Sequence, residues 1–564
     1  MLTRTQDYLF FAAILTVYFF NCYIDVMDVD AAEYAAVALE MLQRGDYLHV
    51  TKHYVDYLDK PPLLFWLAAL SYKIFGISNF AYKFPSLLFA LLGIFSTYKL
   101  GKRLYSEKTG LLSALILASS FAMFQMTNDV RTDTILTGAI IFSIWTLYEF
   151  SQSGKWFYFF AGGIGVAMAM LAKGPIGLMV PVLCFGAHFT LRKEWKSLFS
   201  WHWIMALLLI LLLISPMLVG LYQQFDLHPE KGISGIRFYF WDQSFGRLTG
   251  DNPFIKKQFH PQVTDPFFFV HTFLWAFLPW SIFFIFGYWK KLKKGFQIDI
   301  KNRKWSWNPN EEAITIGGFL LVFLALSCSE YKLPHYIFIL VPLASILTAY
   351  YILSLFENKQ AQKVQKRLFQ FHVGLMLLIW LLLIVLCIFS FPVKSLFIGS
   401  FGVILFIISI YMIFTKIQLM NKLVVFLLIS FISINFMLST HVYPSLLQYQ
   451  SQNRAGRFIL NIAVPKSQFV TYLEPFHSLD FYSQRIVPAI TFPQSISDIR
   501  RQREVWVFTN EEGKTSIEKE NFEADSVISY LDYRVTKLTL PFLIQNQRNK
   551  TLTTKYLLRF KQLK

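Results

Sequence analysis

Apolar runs of about twenty residues recur along most of this chain, broken by short polar stretches. A run of that length crosses a lipid bilayer as one helix, because only a helix satisfies its own backbone there. The runs lie near residues 8–25, 82–101, 110–127, 133–151, 156–171, 174–191, 203–222, 267–289, 313–329, 334–356, 371–391, 396–414 and 421–440. They predict about thirteen spans. The first run is too long, and its flanks too weak, for a cleaved signal peptide, so it reads as a retained helix.

Three polar regions interrupt this pattern. The first, residues 26–81, opens with a helical period that puts Tyr34, Val37, Ala38, Met41 and Leu42 on one face. Asp28 or Asp30 is expected to cap that helix, and Gly45-Asp46 to end it. A second, short apolar helix is expected from Pro61-Pro62, lying along the membrane surface. The second region, residues 223–265, is aromatic, charged and too long for a simple turn. In the third, beyond residue 444, apolar runs shorten to strand length at Phe469–Leu473, Val505–Phe508 and Val527–Leu531, after a helical segment near Ala455–Ile462. The fold expected is an all-α polytopic membrane bundle over 1–444 with a small extracytoplasmic α/β domain over 445–564.

Composition sharpens this reading. Of 564 residues, 55% are hydrophobic and only 16% charged, yet the net charge is +18. Nucleic acid is not needed to explain that excess. The basic residues cluster in alternate loops, at Lys99–Lys108, Arg192–Lys196, Lys290–Lys304 and Lys359–Arg367. Basic loops stay on the cytoplasmic side, which predicts a cytoplasmic N-terminus and, with an odd number of spans, an outward C-terminus. Cys22, Cys184, Cys328 and Cys387 lack metal or redox spacing and read as packing residues.

The candidate chemistry lies at the outer ends of the helices. Asp28, Asp30 and Glu33, then Asp59 and Lys60, then Asp129, Arg131 and Asp133, then Lys173, Glu330 and Lys332 all fall at one membrane depth. Charges there are costly unless paired or hydrated. Each alone reads as a helix cap or a snorkelling lysine; their convergence from four loops does not. Asp30 and Asp133 with Lys60, Lys173 and Lys332 supply a base and cations for a phosphate.

In order, these residues resemble the polytopic C-type glycosyltransferases. The resemblance rests on Asp30-x-x-x-Tyr34, Asp59-Lys60-Pro61-Pro62-Leu-Leu-Phe-Trp, Arg131-Thr-Asp133, Leu171-Ala-Lys173-Gly174-Pro175, Leu278-Pro279-Trp280 and Lys332-Leu333-Pro334-His335-Tyr336. It covers roughly residues 8–350 and is nearest to the bacterial branch of lipid A aminoarabinose transferases and protein O-mannosyltransferase relatives. It implies inverting transfer of a sugar from a polyprenyl-phosphate carrier, such as undecaprenyl phosphate, to an envelope acceptor outside the bacterial inner membrane. Lipid A or another glycolipid or glycan is the acceptor implied first, and a secreted protein second. Asp30 matches the family's principal acidic residue, a general base or charge-balancing group, and Asp133 a second acidic position. Lys60, Lys173, Lys332 and Arg131 would hold the donor phosphate, with Glu33, Tyr34 and Tyr336 around the substrate.

Two departures stand out. Glu33 occupies a position where aminoarabinose transferases tend to carry arginine, and Asp59 one where they carry glutamate. In some relatives that carboxylate joins a histidine to hold a divalent metal, so Asp59 with His260, or less favourably His271, is a candidate pair; a salt bridge from Asp59 to a nearby lysine is the plainer expectation. No nucleotide-binding glycine loop is visible, so a nucleotide-sugar donor is not expected. Two other classes compete. A transporter or flippase calls for polar or broken helices at the membrane midplane, whereas these charges sit at helix ends. A membrane scaffold gives no reason for the convergence.

Overall fold

The computed structural model describes residues 4–243, 246, 265–299, 304–474 and 477–563. Among them, eight helices are long and apolar enough to cross a membrane, or up to ten if each of two bent pairs counts as one span. The bent pairs are Glu107–Ala118 with Phe121–Asn128 and Phe268–Ala276 with Ser281–Gly295. The remaining three expected spans fall on shorter or more polar helices: α1 (Arg4–Asn21), Ile176–Leu191 and Ile314–Ser327. Each of the thirteen expected spans thus falls on a helix or bent helix pair among the described residues, but three of those helices lack the length or apolarity that the expectation gave them.

The first long loop holds α2 (Asp30–Arg44) and α3 (Leu63–Phe75). A two-stranded turn joins them, β1 (Thr51–Lys52) antiparallel to β2 (Val55–Asp56). Gly45, in the left-handed region at φ 68°, ends α2 and returns its amide to the Met41 carbonyl. The expected aspartate cap is absent: Val29 precedes the helix, and Asp28 and Asp30 point to other partners. α3 starts one residue after Pro62 and buries Leu64, Phe65, Ala68 and Tyr72.

The bundle continues through α4 (Asn79–Leu104), α5 (Glu107–Ala118), α6 (Phe121–Asn128), α7 (Thr132–Ser153), α8 (Trp156–Lys173) and α9 (Ile176–Leu191). α7 and α8 form a helical hairpin around Gly154, so the start of α7 and the end of α8 meet at the same end of the bundle. The turn from α8 to α9 needs glycine twice. Gly174 takes φ +89°, and a Cβ at Gly177 would press within 2.5 Å of the α8 backbone at Ala169.

β3 (Phe296–Asp299) pairs antiparallel with β4 (Lys304–Trp307), and the C-terminal region forms a five-stranded sheet in the order β6 (Ala489–Ile490), β5 (Phe469–Tyr472), β7 (Val505–Asn510), β9 (Thr553–Phe560), β8 (Ser526–Asp532). β5 runs parallel to β6 and β7; β9 runs antiparallel to β7 and β8. Every side chain of β5 is buried, because helices cover both faces. Ala455, Ile459 and Leu479 pack on one face, Ile496 and Ile517 on the other.

The short helix His477–Ser483 ties this sheet to the first loop. Ser478 hydrogen bonds the Asp28 carboxylate. His53 Nε2 lies 2.6 Å from Asp480 Oδ2. The Tyr482 hydroxyl accepts from the Val26 amide at 2.7 Å and donates to Asn79 Oδ1 at 2.9 Å. Arg457 adds a two-pronged pair with Asp25.

Candidate active site

The candidate site is assembled from four places that the topology brings together: the start of α2, the Asp59-Lys60 turn before α3, the facing ends of α7 and α8, and the segment 332–336. Asp30 Oδ2 accepts from Arg131 Nη1 at 2.6 Å, and Arg131 Nη2 sits 2.9 Å from Asp129 Oδ2. Burial alone would weaken the guanidinium's charge, but Asp129 and Asp30 outweigh it, so its pKa is raised. Asp30 keeps a 40% exposed side chain, which leaves it open to a substrate despite its partner.

Asp133, in the first turn of α7, is buried and bridges two groups. Its Oδ1 accepts from Lys173 Nζ at 2.5 Å, and its Oδ2 lies 3.8 Å from His335 Nε2. Lys173 also rests over the Tyr336 ring, 4.2 Å from its centroid. Lys60 pairs with Asp59 and faces the Tyr34 ring at 6.0 Å. Lys332, buried, donates to the Asp265 carbonyl at 3.2 Å.

Tyr34 is buried beside Phe65, with ring centroids 5.9 Å apart. Its hydroxyl pKa is pushed well up by burial and by Asp30, Asp59 and Glu33. Glu33 meets Lys52 at 3.3 Å and His477, from the C-terminal region, at 3.7 Å. Burial first, then the charges of Lys52 and His53, lowers His477 to about 3, which keeps that imidazole neutral near pH 7. The second long loop closes the side of the site. Lys231 pairs with Asp56 at 2.5 Å, and Gln243 hydrogen bonds the Asp59 carbonyl. A cleft between this loop and the first is lined by Lys60, Pro61, Tyr57, Leu221, Phe238 and Tyr239.

Of the residues singled out from sequence, Asp30 with Arg131, Asp59 with Lys60 and Asp133 with Lys173 come together as ion pairs; Tyr34 and Tyr336 supply rings to Lys60 and Lys173. Lys332 contacts a backbone carbonyl rather than a carboxylate. His260 lies outside the described residues. Asp59 is engaged by Lys60, the plainer of the two expectations, and His271 lies 3.4 Å from Asp265 instead. No cluster of three or more His, Cys, Asp or Glu side chains that would hold a metal occurs among the described residues. Sequence reasoning missed the contributions of His335 and His477. His335 lies within the Lys332–Tyr336 motif, whereas His477 lies 444 positions from its partner Glu33, with no local signal.

The fold is that of the solved ArnT structures. ArnT from Cupriavidus metallidurans, solved bound to undecaprenyl phosphate, superposes with a TM-score of 0.72 at 15% identity, covering 99% of this chain and 98% of that one. Its apo structure gives 0.70, with 98% and 97% covered. The family model for dolichyl-phosphate-mannose-protein mannosyltransferases matches residues 59–219. An uncharacterized protein of Aquifex aeolicus is 27% identical over 503 residues, 87% of each chain. The undecaprenyl phosphate-alpha-4-amino-4-deoxy-L-arabinose arabinosyl transferase of Edwardsiella ictaluri is 26% identical over 343 residues, 59% of this chain and 57% of that one. The chain thus spans little more than half the length of that arabinosyl transferase.

Proposed function

We propose that this protein is an inverting glycosyltransferase that moves a sugar from a polyprenyl-phosphate carrier to an envelope glycolipid or glycan, lipid A being the first acceptor to test. The observation that carries the reading is the cluster of three cation–carboxylate pairs, Arg131–Asp30, Lys60–Asp59 and Lys173–Asp133, at one end of the bundle. Cations stored on carboxylates can be handed to a phosphate without a bare buried charge in the empty site. Asp30 serves as base or charge balance at the attacking oxygen. Lys60, Lys173, Arg131 and Lys332 hold the departing phosphate as its charge grows. Attack opposite that phosphate inverts the anomeric carbon.

The alternation of basic loops supports a bacterial inner-membrane orientation with the N-terminus cytoplasmic and residues 445–564 a periplasmic domain. The match over 59–219 to protein mannosyltransferases favours a second reading, transfer to a secreted protein. Mass spectrometry of envelope lipids, glycans and glycoproteins from cells with and without the protein separates the two: the fraction that loses a sugar-sized mass holds the acceptor, and no loss in any fraction refutes both.

A further inference from the structure

Asp133 has two partners of unequal standing. Lys173 is in contact at 2.5 Å, while His335 waits at 3.8 Å on the other carboxylate oxygen. The carboxylate is nearly sealed from water, its side chain 5% exposed, so it requires a cation beside it at all times. Among the described residues these are the two groups within ion-pair distance of it. The charged and titratable groups facing His335 are Asp133 from α7, Lys173 from the end of α8, Arg131 ahead of α7 and Lys60 ahead of α3, with Tyr336 beside it on its own segment.

We propose that His335 is a positioning residue that replaces Lys173 on Asp133 when the donor phosphate arrives. The inference rests on the reading above, in which Lys173 serves that phosphate. Lys173 leaves the carboxylate for a phosphate oxygen, and His335 takes one proton from solvent to restore the charge balance. Both ring nitrogens then carry hydrogen, and Nε2, the one 3.8 Å from Asp133, faces the carboxylate. One carboxylate thereby holds Lys173 in the empty site and releases it in the loaded one. Proton uptake is thus coupled to phosphate binding, and the ammonium is not freed until there is an anion to receive it.

The test is calorimetric titration of undecaprenyl phosphate into the full-length protein in detergent, in two buffers of different ionisation enthalpy. The wild type is expected to take up close to one more proton per lipid than His335→Gln. From about pH 7 to about pH 8.5, where a phosphate monoester is already a dianion, wild-type affinity should fall by up to about tenfold per pH unit relative to the variant. His335→Asn, with its thermal midpoint measured alongside, serves if the glutamine variant does not fold. Equal proton counts with normal binding overturn the role of His335 alone. A wild type that does not bind undecaprenyl phosphate overturns both this inference and the proposed function.

Discussion

Arg131 holds Asp30 at 2.6 Å with one nitrogen and Asp129 at 2.9 Å with another. The acidic residue at the centre of the proposed chemistry is therefore aimed by a guanidinium that is itself anchored one turn outside α7. A planar fork is suited to serve two carboxylates at once, and an ammonium on a flexible stem is not. Arg131→Lys should keep the positive charge yet misplace Asp30, lowering sugar transfer by about a hundredfold and weakening donor binding by much less. A rate assay paired with undecaprenyl phosphate binding checks it; unchanged transfer would show that the Arg131–Asp30 contact does not aim the base.

Lys173 and Asp133 are each under one-eighth exposed. Removing either leaves its partner charged and desolvated, so Asp133→Ala should destabilise the protein by about 3–5 kcal/mol. Asp133→Ala combined with Lys173→Met should recover most of that loss, since no orphan charge remains. Thermal unfolding of the purified variants measures this, and a double variant no better than the single one would contradict it.

The clasp between helix His477–Ser483 and the first loop should respond to pH. Burial raises Asp28 to about 6 against the Ser478 hydrogen bond, and raises Asp480 to about 6 against His53. A carboxyl raised in the folded state disfavours folding above that value, so these two groups add stability as pH falls from about 7 to about 4. His477, lowered to about 3 by burial, works the other way and removes stability as pH falls below its ordinary value near 6.5. Two groups gain against one that loses, so the clasp is expected to exchange amide hydrogens more slowly near pH 5 than near pH 7.5, compared at equal intrinsic exchange rate. Asp28→Asn should remove essentially all of that net gain, since one group that gains is then left against one that loses. A clasp that loosens steadily on acidification would refute the assignment.

Tyr482 joins the Val26 amide to Asn79 through one buried hydroxyl. Tyr482→Phe should leave the Val26 donor unsatisfied and cost about 1–3 kcal/mol. The loss should appear as faster proteolysis of the C-terminal region before the bundle melts; identical digestion rates would show that the hydroxyl does not secure the clasp.

Much of this architecture is legible in the chain because long apolar runs and loop charge follow from the bilayer itself. The ion pairs were partly legible: Lys60 beside Asp59 and Lys173 before a Gly-Pro turn are local signals, and their placement at helix ends limits their partners. The cap of α2 was misread because Asp28 has a partner 450 positions away in Ser478, and Asp30 one in Arg131. Residues 469–473, 505–508 and 527–531 declared themselves as strands by apolar runs. β9 did not: Thr553–Phe560 opens on exposed and half-buried polar positions and buries only Leu557, Leu558 and Phe560, so its place between β7 and β8 depends on pairing. His477 is the extreme case, since only the packing of the sheet on the first loop brings it to Glu33.

The central claim is that Asp30 acts in sugar transfer from a polyprenyl phosphate. The most direct measurement is mass spectrometry of envelope glycolipids and glycans from cells carrying the wild-type protein, no protein, or Asp30→Asn at matched abundance. The account predicts one species that loses a sugar-sized mass in the null, with the variant depleted by at least about a hundredfold. A variant that restores that species to the wild-type level would contradict it.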